Sequence, residues 1–148
     1  MSWIINYNTD GAFEKPPQIS PEDEYRQALD FEIWFFEGVI ERCSEYVEVL
    51  QALGNAYTAR GYYEKGLWVD QKLSKLCPDD PVVYYNLACS WALISEPDEA
   101  FTALRKCISL GYEDVQHLNS DPDLRTLRAD ARFGEILEAM AAKHQGHA

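Results

Sequence analysis

The sequence predicts an all-α protein: an α-α superhelix of stacked antiparallel helix pairs, closed by capping helices at its N- and C-terminal ends. Three observations carry that expectation. Residues of like kind recur at a constant interval of about 34, with Leu53 mapping to Leu87, Gly54 to Ala88, Tyr57 to Trp91 and Gly66 to Ala100. Leu50, Leu53 and Tyr57 fall on one helical stripe, which Tyr84, Leu87 and Trp91 repeat. The small residues Gly54 and Ala88 stand beside that stripe, where a bulky side chain would push a partner helix away.

The elements follow in order. Residues 1–20 form an N-terminal arm carrying Trp3, Ile4, Ile5, Tyr7 and Phe13. A first helix runs from about Pro21 to Cys43; Ser20 caps it, Pro21 takes its first position, and Glu22, Asp23 and Glu24 in its first turn favour the positive end of the helix dipole. Further helices are expected at about Glu45 to Arg60, Tyr62 to Leu76, Pro81 to Ile94 and Pro97 to Leu110. Gly61 sits just past a helix end, where a left-handed conformation costs glycine little. Asp80 before Pro81, and Ser95 before Pro97, mark two more starts. Extending the interval backwards aligns Val39 with Leu73 and Cys107, so the second half of a unit occurs three times and the first half twice.

Downstream, Asp114 to Leu118, Ser120 to Leu127 and Asp130 to Ala142 read as three helices whose apolar side is Leu124, Leu127, Phe133, Ile136, Leu137 and Met140. Two full units are fewer than a stack needs, so these helices and the first one must cover its ends. The chain thus reads as one domain over 1–148, with arm 1–20, capping helix 21–46, units 47–80 and 81–112, and a helical cap and tail at 113–148.

The pattern Leu50-x-x-Leu53-Gly54-x-x-Tyr57, then Gly66 and Pro78, resembles a tetratricopeptide repeat, and Tyr84-x-x-Leu87-Ala88-x-x-Trp91 with Ala100 and Leu104 is similar to it. The resemblance covers about Val47 to Tyr112. Asp70 stands where that family usually has an aromatic residue, and the second unit ends at Gly111 and Tyr112 without the usual proline. The run HLNSDPDLRTLRADARFGEIL resembles a C-terminal extension found on many bacterial tetratricopeptide proteins.

Composition narrows the function. At 148 residues, 47% hydrophobic and 13% aromatic, the chain buries a core of its own. A formal net charge of -12 repels phosphate backbones and anionic membrane surfaces, and it attracts a basic partner. The N-terminal residues carry no secretory signal pattern, so a cytoplasmic location is expected. Cys43, Cys77, Cys89 and Cys107 lack zinc-ligand spacing and read as small buried apolar residues. No nucleophile elbow, zinc-protease helix or phosphate loop occurs, so no enzyme, cofactor or metal is expected; Asp121 and Asp123 read as cap and turn residues.

What remains is binding. Glu48, Gln51, Asn55 and Thr58 project about 120° from the Leu50 stripe, given about 100° per residue. Val82, Tyr85 and Cys89 are their equivalents in the second unit, with Asn86 alongside. The resemblance implies that these positions line a concave groove holding a peptide or helix. Asn55 and Asn86 suit it because an amide both donates to and accepts from a peptide backbone. The function expected is that of a protein-interaction module or small adaptor; the alternative is a chaperone holding a client polypeptide. Finally, Phe31, Trp34 and Phe35 lie on the side of the first helix away from the stack. Two covers for them are open: the arm before Pro16, or another polypeptide, including a second copy in a homodimer.

Overall fold

The computed structural model describes residues 18–146. Its elements are α1 (Pro21–Ile40), α2 (Val47–Arg60), α3 (Tyr63–Leu76), α4 (Pro81–Leu93), α5 (Pro97–Ser109), α6 (Val115–Ser120), a 3-10 helix (Pro122–Leu127) and α7 (Ala131–Gln145). No strand occurs among the described residues. From α1 to α5 each helix packs on the one that follows it, which builds the α-α superhelix of antiparallel pairs; the 3-10 helix then packs on α4, and α7 on α5.

Local chemistry explains most boundaries. Ser20 Oγ accepts from the Asp23 N–H at 3.1 Å, which caps α1 as expected. Asp80 caps α4 through the Val82 N–H at 2.9 Å, with Pro81 at the first helical position. Gly61 ends α2 at φ 85, and the Tyr62 N–H reaches back to the Tyr57 carbonyl at 2.8 Å. Gly61→Ala is therefore expected to lower the unfolding free energy by about 1 to 2 kcal/mol, read from urea denaturation. An unshifted midpoint would mean that the turn tolerates a Cβ.

Several boundaries differ from the sequence reading by one to three residues, and three of the differences have a local cause. Helix α1 stops at Ile40 instead of Cys43, because the Arg42 and Cys43 N–H groups both turn onto the Val39 carbonyl and the chain reverses. Cys43 is consequently exposed, not packed on the first repeat, whereas Cys89 and Cys107 are buried. Ser95 does not cap α5: it is itself left-handed, at φ 66, and Glu96 precedes Pro97. The segment after α6 is capped by Asp121, one of the two caps the sequence offers there, the other being Ser120, and it winds from Pro122 as a 3-10 helix.

Packing accounts for two of the four glycines inside the described helices, Gly54 and Gly66. A Cβ built on Gly54 would lie 3.3 Å from Val69 Cγ1, and one on Gly66 would lie 3.1 Å from Thr58 Oγ1. Helices α2 and α3 therefore cross at a distance that a larger residue would widen.

The apolar side chains form two clusters. One joins Leu29 and Ile33 of α1 to Leu50, Leu53 and Tyr57 of α2 and Val69 and Leu73 of α3. The other centres on Phe101 and Leu104 of α5 and takes in Leu118, Leu124, Leu127, Phe133, Ile136 and Met140 from the C-terminal helices. The expected capping function of both ends is thus visible as burial.

Polar ties hold the caps in place. Tyr57 Oη donates to Glu37 Oε1 at 2.6 Å, linking α2 to α1, and this bond holds the Glu37 carboxyl below its ordinary pKa. Arg60 Nε donates to Asp30 Oδ1 at 2.7 Å. At the other end Arg132 donates to Asp98 and Asp130 and lies over the Phe101 ring at 4.4 Å, while Lys143 Nζ donates to the Ile108 carbonyl. The two repeats also differ. Where α3 has Trp68 and Val69, α5 has the smaller Thr102 and Ala103, and a cleft of about 470 Å³ opens there against Tyr84, Leu87 and Trp91.

Candidate functional site

On one side of the stack α2 and α4 run next to each other and the α6 to 3-10 segment closes their far end. Between them lies a groove of about 290 Å³. Asn55 and Thr58 of α2 and Asn86 of α4 stand on its sides; Asp121 and Asp123 close it. Asp70, Tyr85, Cys89 and Ser90 form its floor.

The floor is a hydrogen-bonded polar layer. Ser90 Oγ donates to Asp70 Oδ2 at 2.6 Å, and both side chains are buried. Asp70 occupies the α3 position where an aromatic residue was expected, and Ser90 across the helix boundary explains how a carboxyl is accommodated. Burial raises its pKa from 3.8 to about 6, and the Ser90 bond offsets part of that rise. Asp70 sits beside Gly54 at the α2/α3 crossing, with Oδ1 3.5 Å from where a Cβ would be.

Toward the closed end, Tyr85 Oη donates to Asp121 Oδ2 at 2.7 Å. Its ring stacks on Tyr112, with centroids 4.8 Å apart at 22°, and lies 5.2 Å from the His117 ring. Burial and the Asp121 carboxylate both raise the pKa of the Tyr85 hydroxyl. Asp121 is further fixed because its Oδ1 accepts from the Asp123 N–H at 2.9 Å, its carbonyl accepts from Arg128, and His117 Nε2 lies 3.5 Å from its Oδ2. The cap and turn roles read for Asp121 are real, and the same residue also presents a carboxylate to the groove.

Cys89, Asp121 and Asp123 bring one ligand-type atom each within 4.8 Å of one another. Burial, then the neighbouring carboxylates, push the Cys89 thiol far above its ordinary value, and Cys89 Sγ is hydrogen-bonded to Asp121 Oδ2 at 3.8 Å. Burial also raises the Asp123 carboxyl, with Asp121 adding to the effect. What the cluster offers is negative potential.

Of the eight residues read as groove-lining, the structure gathers Asn55, Thr58, Tyr85, Asn86 and Cys89 around this cavity. Glu48 and Gln51 lie in the first two turns of α2 and Val82 in the first turn of α4, outside its lining. Tyr85 needs a correction: the sequence reading placed it among the residues that meet a bound peptide, but it is 4% exposed, its ring and hydroxyl engaged by Tyr112, His117 and Asp121. Asp70, Ser90, His117 and Asp121 were missed as groove residues. In the 34-residue register Ser90 coincides with Ala56 and Asp70 with Leu104, both core positions, so no spacing marks them as groove residues; His117 and Asp121 arrive by a fold-back that no periodicity marks either.

On α1, Phe31, Trp34 and Phe35 are exposed, on the side away from Leu29 and Ile33. The residues read as their internal cover, Trp3 to Phe13, lie outside the described residues. No helix among the described residues is long and apolar enough to cross a membrane.

Comparison with known proteins agrees with this architecture. No family model matches the chain. The crystal structure of MamA superimposes on 84% of this chain and 75% of its own with a TM-score of 0.61 at 22% identity, which shows a shared tetratricopeptide-like fold. In sequence, 88 residues are 33% identical to a chloroplastic protein of Arabidopsis thaliana. That match takes in 57% of this chain and 26% of the relative, so the chain spans about a quarter of that protein's length.

Proposed function

We propose that the chain is a non-enzymatic protein-interaction module, an adaptor that holds a short extended or helical segment of a partner between α2 and α4. The observation that carries this reading is the pairing in one groove of two accessible amides, Asn55 and Asn86, with the carboxylates of Asp121 and Asp123. The amides suit a peptide backbone, whose donors and acceptors alternate. The carboxylates suit a lysine or arginine on the same segment, in keeping with the net charge of -12 and with a basic partner in place of nucleic acid.

A chaperone that holds unfolded clients calls for broad apolar lining. This groove is small, and amides and carboxylates stand among its apolar lining at fixed places, which favours a defined segment over a general client. The closing helices, read as a bacterial-type extension, serve here to position Asp121. As to compartment, the name of the Arabidopsis relative places that protein in the chloroplast. For this chain we propose an aqueous, thiol-reducing compartment such as the cytoplasm, in line with four free cysteines.

Capture of partners from a lysate of the source cells tests the groove. Asn55→Ala with Asn86→Ala is expected to abolish recovery of the partner held by the parent, with the thermal midpoint within about 2 °C of it, since both side chains reach solvent. Undiminished capture by the double variant would remove these residues from the site. Asp121 is the wrong residue to replace first, because its loss also unfastens Tyr85 and Arg128.

A further inference from the structure

The outer face of α1 is a second surface, on residues separate from the groove. By the 34-residue register α1 corresponds to α3 and α5, the second helices of their pairs: Ile33, Leu67 and Phe101 coincide and all three are buried. Phe35 coincides with Val69 and Ala103, which lie against the first helix of their own pair and are 0% and 5% exposed. Phe35 is 52% exposed; Trp34 beside it is 68% exposed but coincides with Trp68, 53% exposed in a complete pair, so Phe35 is the residue that marks the absent cover. Helices α3 and α5 each follow a first helix, α2 and α4; among the described residues none precedes α1. The result is a cleft of about 640 Å³ bounded by Trp34, Phe35, Val39 and Tyr46. Gly38 makes a notch in it, with no atom within 4 Å of where its Cβ would be.

We propose that this cleft docks one amphipathic helix of a partner protein, with an apolar stripe and basic flanks, in the place that a first helix takes in the complete repeats. Length follows from the fold: α2 has 14 residues and α4 has 13. Charge follows from Glu32, which stands in the register of Gly66 and Ala100. At Gly66 the helices of a pair come so close that a Cβ would lie 3.1 Å from Thr58 Oγ1. A covering helix would take that carboxylate out of water, a cost that a lysine or arginine on the helix offsets. Glu41 and Arg42 both border the cleft and offset one another, so the demand for a cation rests on Glu32. A second copy of the chain is the poorer occupant, since each carries a net charge of -12.

The test uses the full chain and a fluorescein-labelled helical peptide of about 14 residues, with leucines at i, i+3, i+4 and i+7 and lysines on the flanks. A second peptide carries glutamate in place of each lysine. Anisotropy titration is expected to show binding of the lysine peptide by the parent, at least about tenfold weaker binding of the glutamate peptide, and a comparable loss in Trp34→Glu. Glu32→Lys is expected to narrow or reverse the preference between the peptides; Glu32 and Trp34 both lie outside the groove lining, so this surface and the groove fail separately. Circular dichroism of Trp34→Glu checks that helix content is kept. Equal binding by parent and Trp34→Glu overturns the proposal, as does no binding by the parent, the outcome when the chain's own residues 1–17 cover the face. So does light scattering in which the parent has twice the mass of Trp34→Glu, which gives the face to a second copy.

Discussion

Phe101→Ala is expected to lower the unfolding free energy by about 3 to 5 kcal/mol, the largest effect expected of a single substitution in this protein. Phe101 is 0% exposed and has the largest of the fully buried side chains. Its ring sits where three layers meet: the α4/α5 pair, the α7 cap and the Arg132 guanidinium 4.4 Å above it. Truncation removes the transfer free energy of a benzyl group and leaves a cavity whose walls are held by other contacts, so little of it can collapse. It also removes the surface on which Arg132 rests, although Asp98 and Asp130 still hold that guanidinium. Urea denaturation of parent and variant measures the difference. Phe31→Ala is the control: at the same residue type on the outer face of α1 it is expected to change stability by no more than about 0.5 kcal/mol. A loss below about 1 kcal/mol at Phe101 would mean that the C-terminal helices do not close the stack as described.

Asp70→Asn is expected to stabilise the protein near neutral pH by about 1 to 3 kcal/mol, and by progressively less toward pH 4. Burial raises the folded-state pKa of Asp70 from 3.8 to about 6. Between those values the folded chain keeps a proton that the unfolded chain has released. The unfolding free energy contributed by this group therefore falls as pH rises from about 4 to about 6, and stays low above that. Asparagine carries no charge to desolvate, and its Oδ1 can accept from Ser90 Oγ as Asp70 Oδ2 does at 2.6 Å. Urea midpoints of both proteins from about pH 4 to pH 8 provide the comparison. If the gap does not open with rising pH, Asp70 titrates at an ordinary value and its environment is wetter than its 7% exposure indicates. That a residue of the groove floor should be suboptimal for stability fits a site at which polar groups are retained for binding, and the groove reading predicts that Asp70→Asn alters capture less than the Asn55 and Asn86 pair does.

The groove also shows where sequence reasoning succeeded and where it stopped. Asn55, Thr58 and Asn86 were legible because they lie at fixed angular offsets from a helical stripe, and helical geometry converts spacing into direction. Gly54 was legible for a related reason: a residue unfavourable in a helix interior implied a close neighbour, now seen as Val69 and Asp70. Tyr85 was misjudged by the same geometry. Its direction was right, but its exposure depends on Tyr112, His117 and Asp121, which fold back over it from far along the chain, and an angular argument along one helix carries no information about what arrives from elsewhere.

The sequence by itself determined the helices, their pairing and the register of the repeats, because caps, turn glycines and the stripe containing Leu50, Leu53 and Tyr57 act over a few residues or at a constant interval. Tertiary structure alone decided that α6 and the 3-10 helix bring Asp121 onto Tyr85 and close the groove, and that Ser90 shares a hydrogen bond with Asp70. It alone decided, too, that Phe35 stands open where Val69 and Ala103 are covered. Each of these is set by contacts between segments far apart in the chain, whose free energy depends on burial and on which polar group meets which, and neither quantity is encoded in local spacing.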